Sequence, residues 1–253
     1  MLTIGIDVGS ITTKAAVVVD GEVKLSKIGS TGYDAKKSAR MVFSQVLENL
    51  KLSRNDIQGI VSTGYGRNSV SFADKAITEI TCHAAGAFYI NPDIRSVIDI
   101  GGQDSKVILL NEYGRVSDFA MNDKCAAGTG RFLEVMARAL EIELEHFGAM
   151  SLESQTPSQI SSLCTVFAES EVISLIAKGE RRENIVAGIH DAIGARVASM
   201  AKRVKIVSPV MMTGGVAKNK GLVKALERRL MKKILIAESA QVVGAIGAAL
   251  LAQ

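Results

Sequence analysis

The sequence predicts an α/β protein built from two related domains, and a repeated pattern is the main reason. The spacing Asp-x-Gly-x4-Lys occurs at Asp7–Lys14 and again, 92 residues later, at Asp99–Lys106. An apolar segment precedes each copy and a β-branched segment follows it, which is typical of a β-hairpin with a glycine-containing turn. In both halves the strands come before the helices, an order typical of α/β domains.

The elements of the first half follow from its apolar runs and the turns between them. The first hairpin accounts for two strands, and a β-branched and apolar run after it adds a third. We expect strands near residues 2–8, 14–20, 22–28 and 57–63, and helices near 35–50 and 72–90.

The second half begins with the second hairpin and continues with a longer helical part. Small residues such as Gly244 and Gly247 in the last helix allow close packing, and a core contact is sufficient to explain them. We expect strands near residues 96–101, 105–111, 210–212 and 233–237, and helices near 129–140, 166–178, 184–204, 219–231 and 241–252.

The composition excludes several classes of protein. The chain has 253 residues, of which 47% are hydrophobic and 22% charged, with a formal net charge of +4, as in ordinary globular proteins. With no Trp and 4% aromatic residues there is little to stack on nucleobases, so we expect no nucleic-acid partner. The apolar run 242–252 is shorter than the roughly 18 residues of a membrane span, and the N-terminus lacks a basic signal-peptide region. We therefore expect no membrane segment.

Three cysteines, Cys82, Cys125 and Cys164, are too few and too scattered for a disulfide framework. The chain contains no Cys-x-x-Cys pair, which argues against a zinc ribbon or finger. Free cysteines are usually buried as small hydrophobic side chains, and we expect this for Cys82. The adjacent His83 is interpreted as a core or interface residue rather than a metal ligand.

The glycine turns are suited to phosphate chemistry. Gly9, Gly101 and Gly102 let backbone N–H groups form a concave site for phosphate oxygens, and nearby hydroxyl side chains add donors. Carboxylates beside such turns hold Mg²⁺ or orient an attacking water. A third turn, Met212–Asn219, links an apolar strand to a helix and is suited to the ribose and adenine end of a nucleotide.

Longer motifs identify a family. The hairpins, the Thr-Gly-Gly turn and the terminal small-residue helix resemble the actin, Hsp70 and sugar-kinase superfamily of ATPases. Within it the chain is similar to the ATP-dependent activators of 2-hydroxyacyl-CoA dehydratases, which are BadF/BadG/BcrA/BcrD-type ATPases and include benzoyl-CoA reductase subunits and reductases of double-cubane-cluster proteins. The motifs that carry this resemblance are Ser62–Arg67, Thr81–His83, Val97–Asp104, Met121–Phe132 and Cys164–Val172.

The resemblance implies a fold and a division of the chain. The fold is a pair of ribonuclease-H-like domains with a nucleotide cleft between them. The first ATPase half is expected over residues 1–92, completed by the C-terminal helix at about 241–253. The second half, residues 93–240, would carry the cysteines that bind the cluster.

The resemblance also implies the cofactors, which are ATP or ADP, Mg²⁺ and one [4Fe–4S] cluster per homodimer. Cluster ligands fall on Cys125 and Cys164. Water for attack on the γ-phosphate would be oriented by Asp7, Asp99, Gln103 or Asp104, between which the sequence does not decide. Nucleotide contacts fall on Ser10, Ile11, Thr12, Thr13, Lys14, Gly101, Gly102, Gly214, Gly215 and Asn219, with Gln241 at the pocket edge; Ile11 stands where the family often has a hydroxyl residue.

The cysteine count agrees with a shared cluster. A cubane needs about four thiolates, and two from each chain across a two-fold axis supply them. Cys125 and Cys164 each precede a predicted helix, beginning near Gly128 and Val166, and helix N-termini suit an anionic cluster.

The expected function is therefore an ATP-hydrolysing iron–sulfur electron donor in the cytoplasm. It would take an electron from a ferredoxin or flavodoxin and reduce a partner iron–sulfur enzyme, either a 2-hydroxyacyl-CoA dehydratase or a double-cubane-cluster protein. Two alternatives share the same nucleotide turns: a small-molecule kinase of the superfamily and a nucleotide-switched scaffold.

Overall fold

The computed structural model describes residues 1–161 and 164–252, which contain two five-stranded sheets and the helices that cover them. The strands are β1 (Leu2–Val8), β2 (Thr12–Val19), β3 (Glu22–Ser30), β4 (Gly59–Thr63), β5 (Lys75–Ala76), β6 (Ser96–Ile100), β7 (Ser105–Leu110), β8 (Val116–Asn122), β9 (Val210–Thr213) and β10 (Ile234–Ile236). The helices are α1 (Ala35–Leu50), α2 (Glu79–Ile90), α3 (Gly130–Ala139), α4 (Leu144–Ser151), α5 (Thr165–Ala177), α6 (Arg182–Val204), α7 (Lys220–Leu230) and α8 (Val243–Leu250).

The first sheet has the strand order β3-β2-β1-β4-β5. Strands β1 and β2 pair antiparallel, with Asp7 opposite Lys14 and Val8 opposite Thr13, so the predicted first hairpin is present. Strand β4 runs parallel to β1, and β5 runs parallel to β4. Buried side chains of β1, β2 and α1, including Ile4, Val17 and Val42, form the core on one side of this sheet.

The second sheet has the order β8-β7-β6-β9-β10. If the strands are numbered separately within each half, both sheets have the same order: third, second, first, fourth, fifth. The last two strands of each half also pair parallel, β4 with β5 and β9 with β10. The prediction of two related α/β halves is confirmed by this shared order.

Contacts divide the chain into two compact units. Unit 1 comprises Met1–Val97, Ile108–Asp118 and Ala237–Gln253, and unit 2 comprises Ile98–Val107 and Phe119–Ile236. The division of the ATPase halves at residues 92 and 240 stays a prediction. Two parts of the predicted halves lie outside the described residues: Gln253, the end of the C-terminal helix assigned to the first half, and residues 162–163 of the second half.

The predicted helical stretch over 72–90 is wrong in its first part. Asp74 accepts a hydrogen bond from the Ile60 amide at 2.7 Å, and the two residues after it form the short strand β5. Helix α2 begins only at Glu79, where the Thr78 hydroxyl caps it by accepting from the Thr81 amide. A polar side chain bonded to the neighbouring strand thus replaces the first helical turns.

Besides β5, the prediction lacks two elements, β8 and α4. Strand β8 lies at the sheet edge and is exposed along its first half, so it lacks a clear apolar alternation. Helix α4 has eight residues, which is too short for a strong periodic signal. No helix in the described part of the chain combines the length and the hydropathy that crossing a membrane requires.

Helix α8 packs at backbone distance against its neighbours in unit 1. It contacts β1, β2, β4 and α2, and the Thr3 hydroxyl donates to the Ala249 carbonyl at 2.8 Å. A side-chain carbon at Gly247 would lie 1.7 Å from the Cys82 carbonyl, and one at Gly5 would lie 2.0 Å from the Ala245 carbonyl. The close packing expected of the small-residue helix is confirmed, and Cys82 is fully buried beside it, also as expected.

We expect Gly247→Ala to lower the free energy of unfolding by about 3 kcal/mol, because α2 and α8 must separate to admit the methyl group. Gly29→Ala is the control, since its methyl group would meet only the side-chain ends of Val42 and Met41, at 3.1 and 3.2 Å. That change should stay below about 1 kcal/mol in a urea titration. Equal stability of the two variants would contradict the packing described for α8.

Candidate functional site

The first glycine turn joins β1 to β2 in unit 1. The Gly9 amide donates to the Thr12 carbonyl at 3.1 Å, and Lys14 Nζ lies 3.1 Å from Asp7 Oδ2. Asp7 is 5% exposed, so this ion pair is almost removed from solvent. Gly64, at a φ of 86°, passes so close that a side-chain carbon there would lie 2.5 Å from Asp7 Oδ1.

The second turn, in unit 2, repeats this geometry residue for residue. The Gly101 amide donates to the Asp104 carbonyl at 3.0 Å, and Lys106 Nζ lies 3.3 Å from Asp99 Oδ2. Gly214, at a φ of 87°, stands against Asp99 as Gly64 stands against Asp7, since a carbon there would lie 2.9 Å from Asp99 Oδ1. The sequence repeat is thus a structural repeat, extending to the glycine after the fourth strand of each half.

The second turn carries extra electrostatic support. Lys106 is 1% exposed and lies 2.8 Å from Asp104 Oδ1 as well as near Asp99, while the Thr213 hydroxyl donates to Asp99 Oδ1 at 2.8 Å. Both oxygens of Asp99 are therefore engaged. A buried cation shared by two carboxylates holds this turn in one conformation.

The remaining turn residues differ in exposure. Ser10 and Thr12 are half-buried, while Ile11 and Gln103 are exposed at the tips of their turns. Thr13 is fully buried, and its hydroxyl lies 2.9 Å from that of Thr31, which in turn donates to the Gly9 carbonyl at 2.7 Å. The structure thus gives the Thr13 hydroxyl a bracing contact inside unit 1, while its role as a phosphate contact stays a prediction.

The third glycine turn lies in unit 2 and ends at Asn219. Gly214 starts it, Gly215 opens a single 3₁₀ turn, and Asn219 caps α7 by accepting from the Leu222 amide at 2.9 Å. Because the Asn219 oxygen is used in the cap, its Nδ2 donates to His190 Nε2, 3.0 Å away. Gln241, assigned to the same pocket by sequence, is half-buried in unit 1, just before α8.

His190 was not predicted to belong to this site, because it carries no motif. It lies on α6, is 1% exposed, and meets the Phe147 ring edge-on with centroids 5.6 Å apart. Burial, and secondarily the charge of Arg228, lowers its pKa to about 3. His190 is therefore neutral at physiological pH, so Nε2 is free to accept the Asn219 hydrogen bond.

Cys125 lies in the loop between β8 and α3 and is half-buried. Helix α3 begins at Gly130, within two residues of the expected start, and its first amides are already used. Gly130 N donates to the Gly101 carbonyl at 2.9 Å, and Arg131 N donates to the Gly102 carbonyl at 2.8 Å. The start of α3 is thus bonded to the second glycine turn.

Cys164 is exposed and occupies the N-cap position of α5. Ahead of it, the Ser161 amide and hydroxyl both donate to the Glu171 carboxylate, the amide at 2.9 Å. Helices α3 and α5 pack against each other, so the structure places the two cysteine segments on neighbouring helices of unit 2. Over residues 1–161 and 164–252, no three metal-ligating side chains gather at one place.

Removal of the Lys106 charge should destabilise the protein strongly. We expect Lys106→Met to cost about 3–5 kcal/mol in the free energy of unfolding, because Asp99 stays buried without its cation. Lys24→Met is the matched control, since Lys24 pairs with Glu22 on the exposed face of β3. Urea titrations of both variants check this; a Lys106→Met protein as stable as the control would contradict the bracing role.

The buried neutral His190 predicts a pH dependence of stability. The unfolded chain binds a proton on this residue below about pH 6.5, whereas the folded chain does not until about pH 3. The free energy of unfolding should therefore decrease as the pH is lowered through this window. This residue contributes at most about 1.4 kcal/mol per pH unit to the decrease. His190→Gln removes that contribution, so urea titrations between pH 7 and 4 should show a shallower decline. The exposed His146→Gln variant should follow the wild type, and parallel curves for all three proteins would contradict the assignment.

Known proteins resemble this chain along its whole length. It is 48% identical over 252 residues to the (R)-2-hydroxyglutaryl-CoA dehydratase activating ATPase of Acidaminococcus fermentans, covering 99% of this chain and 96% of that protein. The solved activator of the 2-hydroxyisocaproyl-CoA dehydratase from Clostridium difficile, with bound ADPNP, superposes with a TM-score of 0.94 at 45% identity, covering 100% of this chain and 94% of that one.

A more distant structure shows the fold alone. A ROK family glucokinase from Streptomyces griseus, in complex with glucose and AMPPNP, superposes with a TM-score of 0.60 at 15% identity, over 100% of this chain and 99% of that one. The expected actin and sugar-kinase type of fold is thereby confirmed. The family model matches residues 4–252, and the chain belongs to the BadF/BadG/BcrA/BcrD ATPase family.

Proposed function

We propose that this ATPase is an iron–sulfur electron donor that reduces a partner iron–sulfur enzyme at the expense of ATP. One observation carries the proposal: two cysteines outside any disulfide, Cys125 and Cys164, lead into packed neighbouring helices of the unit that contains the second glycine turn. The names of relatives at nearly half identity, which are dehydratase activators, support the same function.

Nucleotide binding is assigned to the three glycine turns. We place the phosphates against Ser10, Ile11, Thr12, Thr13 and Lys14 of the first turn and Gly101 and Gly102 of the second. The nucleoside is placed against Gly214, Gly215 and Asn219, with Gln241 at the edge. ADPNP bound to the 45% identical activator supports an ATP site in this family.

The candidates for orienting the attacking water differ in their surroundings. Asp99 has both oxygens in hydrogen bonds, which favours a bracing role for it. Gln103 is exposed at the turn tip, and Asp7 and Asp104 each face a lysine that offsets phosphate charge. We assign the water to Gln103, Asp7 or Asp104, and Mg²⁺ to the same carboxylates.

The donor set fits a shared [4Fe–4S] cluster. Each chain offers two accessible thiols and a cubane takes about four, so two copies of the chain complete the set. Cys164 at the N-terminus of α5 stands where backbone amides favour negative charge. When bound, the cluster supplies a one-electron redox centre.

Helix α5 also supports the homodimer. Its apolar side chains Val166, Phe167, Ile173 and Ile176 are between 43% and 66% exposed, beginning directly after Cys164. Apolar side chains concentrated on one exposed helix are typical of an interaction surface. A second copy meeting this helix would cover them and bring four thiols together.

The partner is proposed from the relatives. We propose a 2-hydroxyacyl-CoA dehydratase or a double-cubane-cluster protein as electron acceptor, and a ferredoxin or flavodoxin as donor. A cytoplasmic location belongs to the proposal, because free thiols persist in a reducing compartment. The kinase alternative is less supported, since the likeness to a glucokinase concerns the fold alone.

Iron content tests the proposal directly. We expect about four irons and four sulfides per dimer in protein purified without oxygen, and their loss in Cys125→Ser and in Cys164→Ser. Cys82→Ala is the matched control and should keep its iron, because Cys82 is buried in unit 1. All four proteins should still bind ATP.

Absence of iron would contradict the proposal. A folded, ATP-binding wild type without iron after anaerobic reconstitution would contradict the electron-donor function. ATP turnover stimulated by a sugar would then favour a kinase, and a partner bound only with ATP would favour a scaffold.

A further inference from the structure

We propose that Asn122 and Arg196 are positioning residues for Cys125, fixing the loop that presents its thiol. The inference rests on the proposed function in one respect, namely that Cys125 is a cluster ligand. Asn122 lies within the motif Met121–Phe132 but was assigned no role there, Arg196 lies in no motif, and both act through hydrogen bonds within unit 2.

The Asn122 side chain is the centre around which the loop folds. It is the last residue of β8, and its Nδ2 donates to the Cys125 carbonyl at 2.8 Å and to the Ala127 carbonyl at 3.1 Å. Asn122 is 9% exposed, so these bonds are shielded from water. The two bonds hold the backbone on either side of residue 126 and thereby set the direction of the Cys125 side chain.

Arg196 holds the Asn122 amide in place. From α6 its Nη2 donates to Asn122 Oδ1 at 3.1 Å, so the oxygen and both donor bonds of that amide are all engaged. The stem of the same arginine covers Gly128, where the backbone has a φ of 90° and a side-chain carbon would lie 2.9 Å from Arg196 Cδ. Arg196 therefore orients the Asn122 amide through its guanidinium and packs its stem against the same loop at Gly128.

The far end of the loop is anchored independently. Thr129 is fully buried, its amide donates to the Ala126 carbonyl at 3.0 Å, and Gly130 is bonded to Gly101. Cys125 therefore lies in a loop that is hydrogen-bonded to the Asn122 side chain and fixed at its far end by the start of α3. Loss of the Asn122 donors removes two hydrogen bonds to the loop, while the bonds at Thr129 and Gly130 still hold the start of α3.

The chemistry of Asn122 provides an isosteric test. Asn122→Asp keeps the acceptor that Arg196 needs but removes both donors and turns a carboxylate toward the Cys125 and Ala127 carbonyls. Arg196→Met keeps the stem over Gly128 and removes the guanidinium. Asn111→Asp is the matched control, because Asn111 Oδ1 only accepts, from the amides of Tyr113 and Arg115.

The readout is the alkylation rate of each cysteine in the reduced, cluster-free full chain, measured by mass spectrometry. Cys164 is exposed and reports general thiol reactivity, while Cys82 is buried and reacts only when the chain unfolds. We expect Asn122→Asp to change the Cys125 rate by about 10-fold, in line with the loss of two shielded hydrogen bonds. The Cys164 and Cys82 rates should not change.

Arg196→Met should shift the Cys125 rate in the same direction by a smaller factor, and Asn111→Asp should leave all three rates as in the wild type. A Cys125 rate unchanged in both variants would overturn the proposal. If Asn122→Asp also exposes Cys82, the variant has unfolded and Arg196→Met decides by the same criterion.

A second measurement, the rate at which the iron-loaded dimer releases iron to a chelator, distinguishes failure of the positioning role from failure of the electron-donor function. We expect faster release in Asn122→Asp than in Asn111→Asp. A wild type that never binds iron would contradict the electron-donor function, while the thiol rates would still judge the positioning of Cys125. Iron release equal in the two variants, with unchanged thiol rates, would leave the function standing and overturn the positioning role.

Discussion

The close approach of α3 to the second glycine turn is the constraint on which the site in unit 2 depends. The amides of Gly130 and Arg131 bond to the carbonyls of Gly101 and Gly102, and a carbon on Gly130 would lie 3.1 Å from the Gly101 oxygen. The same carbon would lie 3.3 Å from Val216 in the third turn. Two glycine turns therefore lie against the residue that begins α3, and a side chain at Gly130 would crowd both of them.

The duplication explains both the symmetry and the division of labour. Each half builds the same hairpin, with a lysine bonded to the first aspartate and a left-handed glycine against it. Only the second half adds Asp104 and Thr213 to that arrangement. Cys125, Cys164 and the side chains that support the Cys125 loop also lie in unit 2, so the proposed cluster ligands belong to the second half alone.

Short-range patterns were predictable, whereas long-range supports were not. The hairpins follow from Asp-x-Gly-x4-Lys because a tight turn and its two strands are contiguous in sequence, as in Leu2–Val19. The partners of Asn122 and Asn219 lie 74 and 29 positions away, and nothing near Arg196 or His190 in sequence marks them. The start of α3 at Gly130 agrees with Thr129 as a favoured N-cap residue, but the bonds of its first amides to Gly101 and Gly102 are long-range and leave no local pattern.

The placement of the three cysteines separates the integrity of the fold from the redox state. Cys82 lies in the core of unit 1, and burial raises the pKa of its thiol to about 12, which leaves it protonated and unreactive. The other two thiols lie outside the buried core. If Cys125 and Cys164 bind the proposed cluster, oxidation would attack thiols outside the buried core, while the Cys82 thiol packed in the core of unit 1 would be spared.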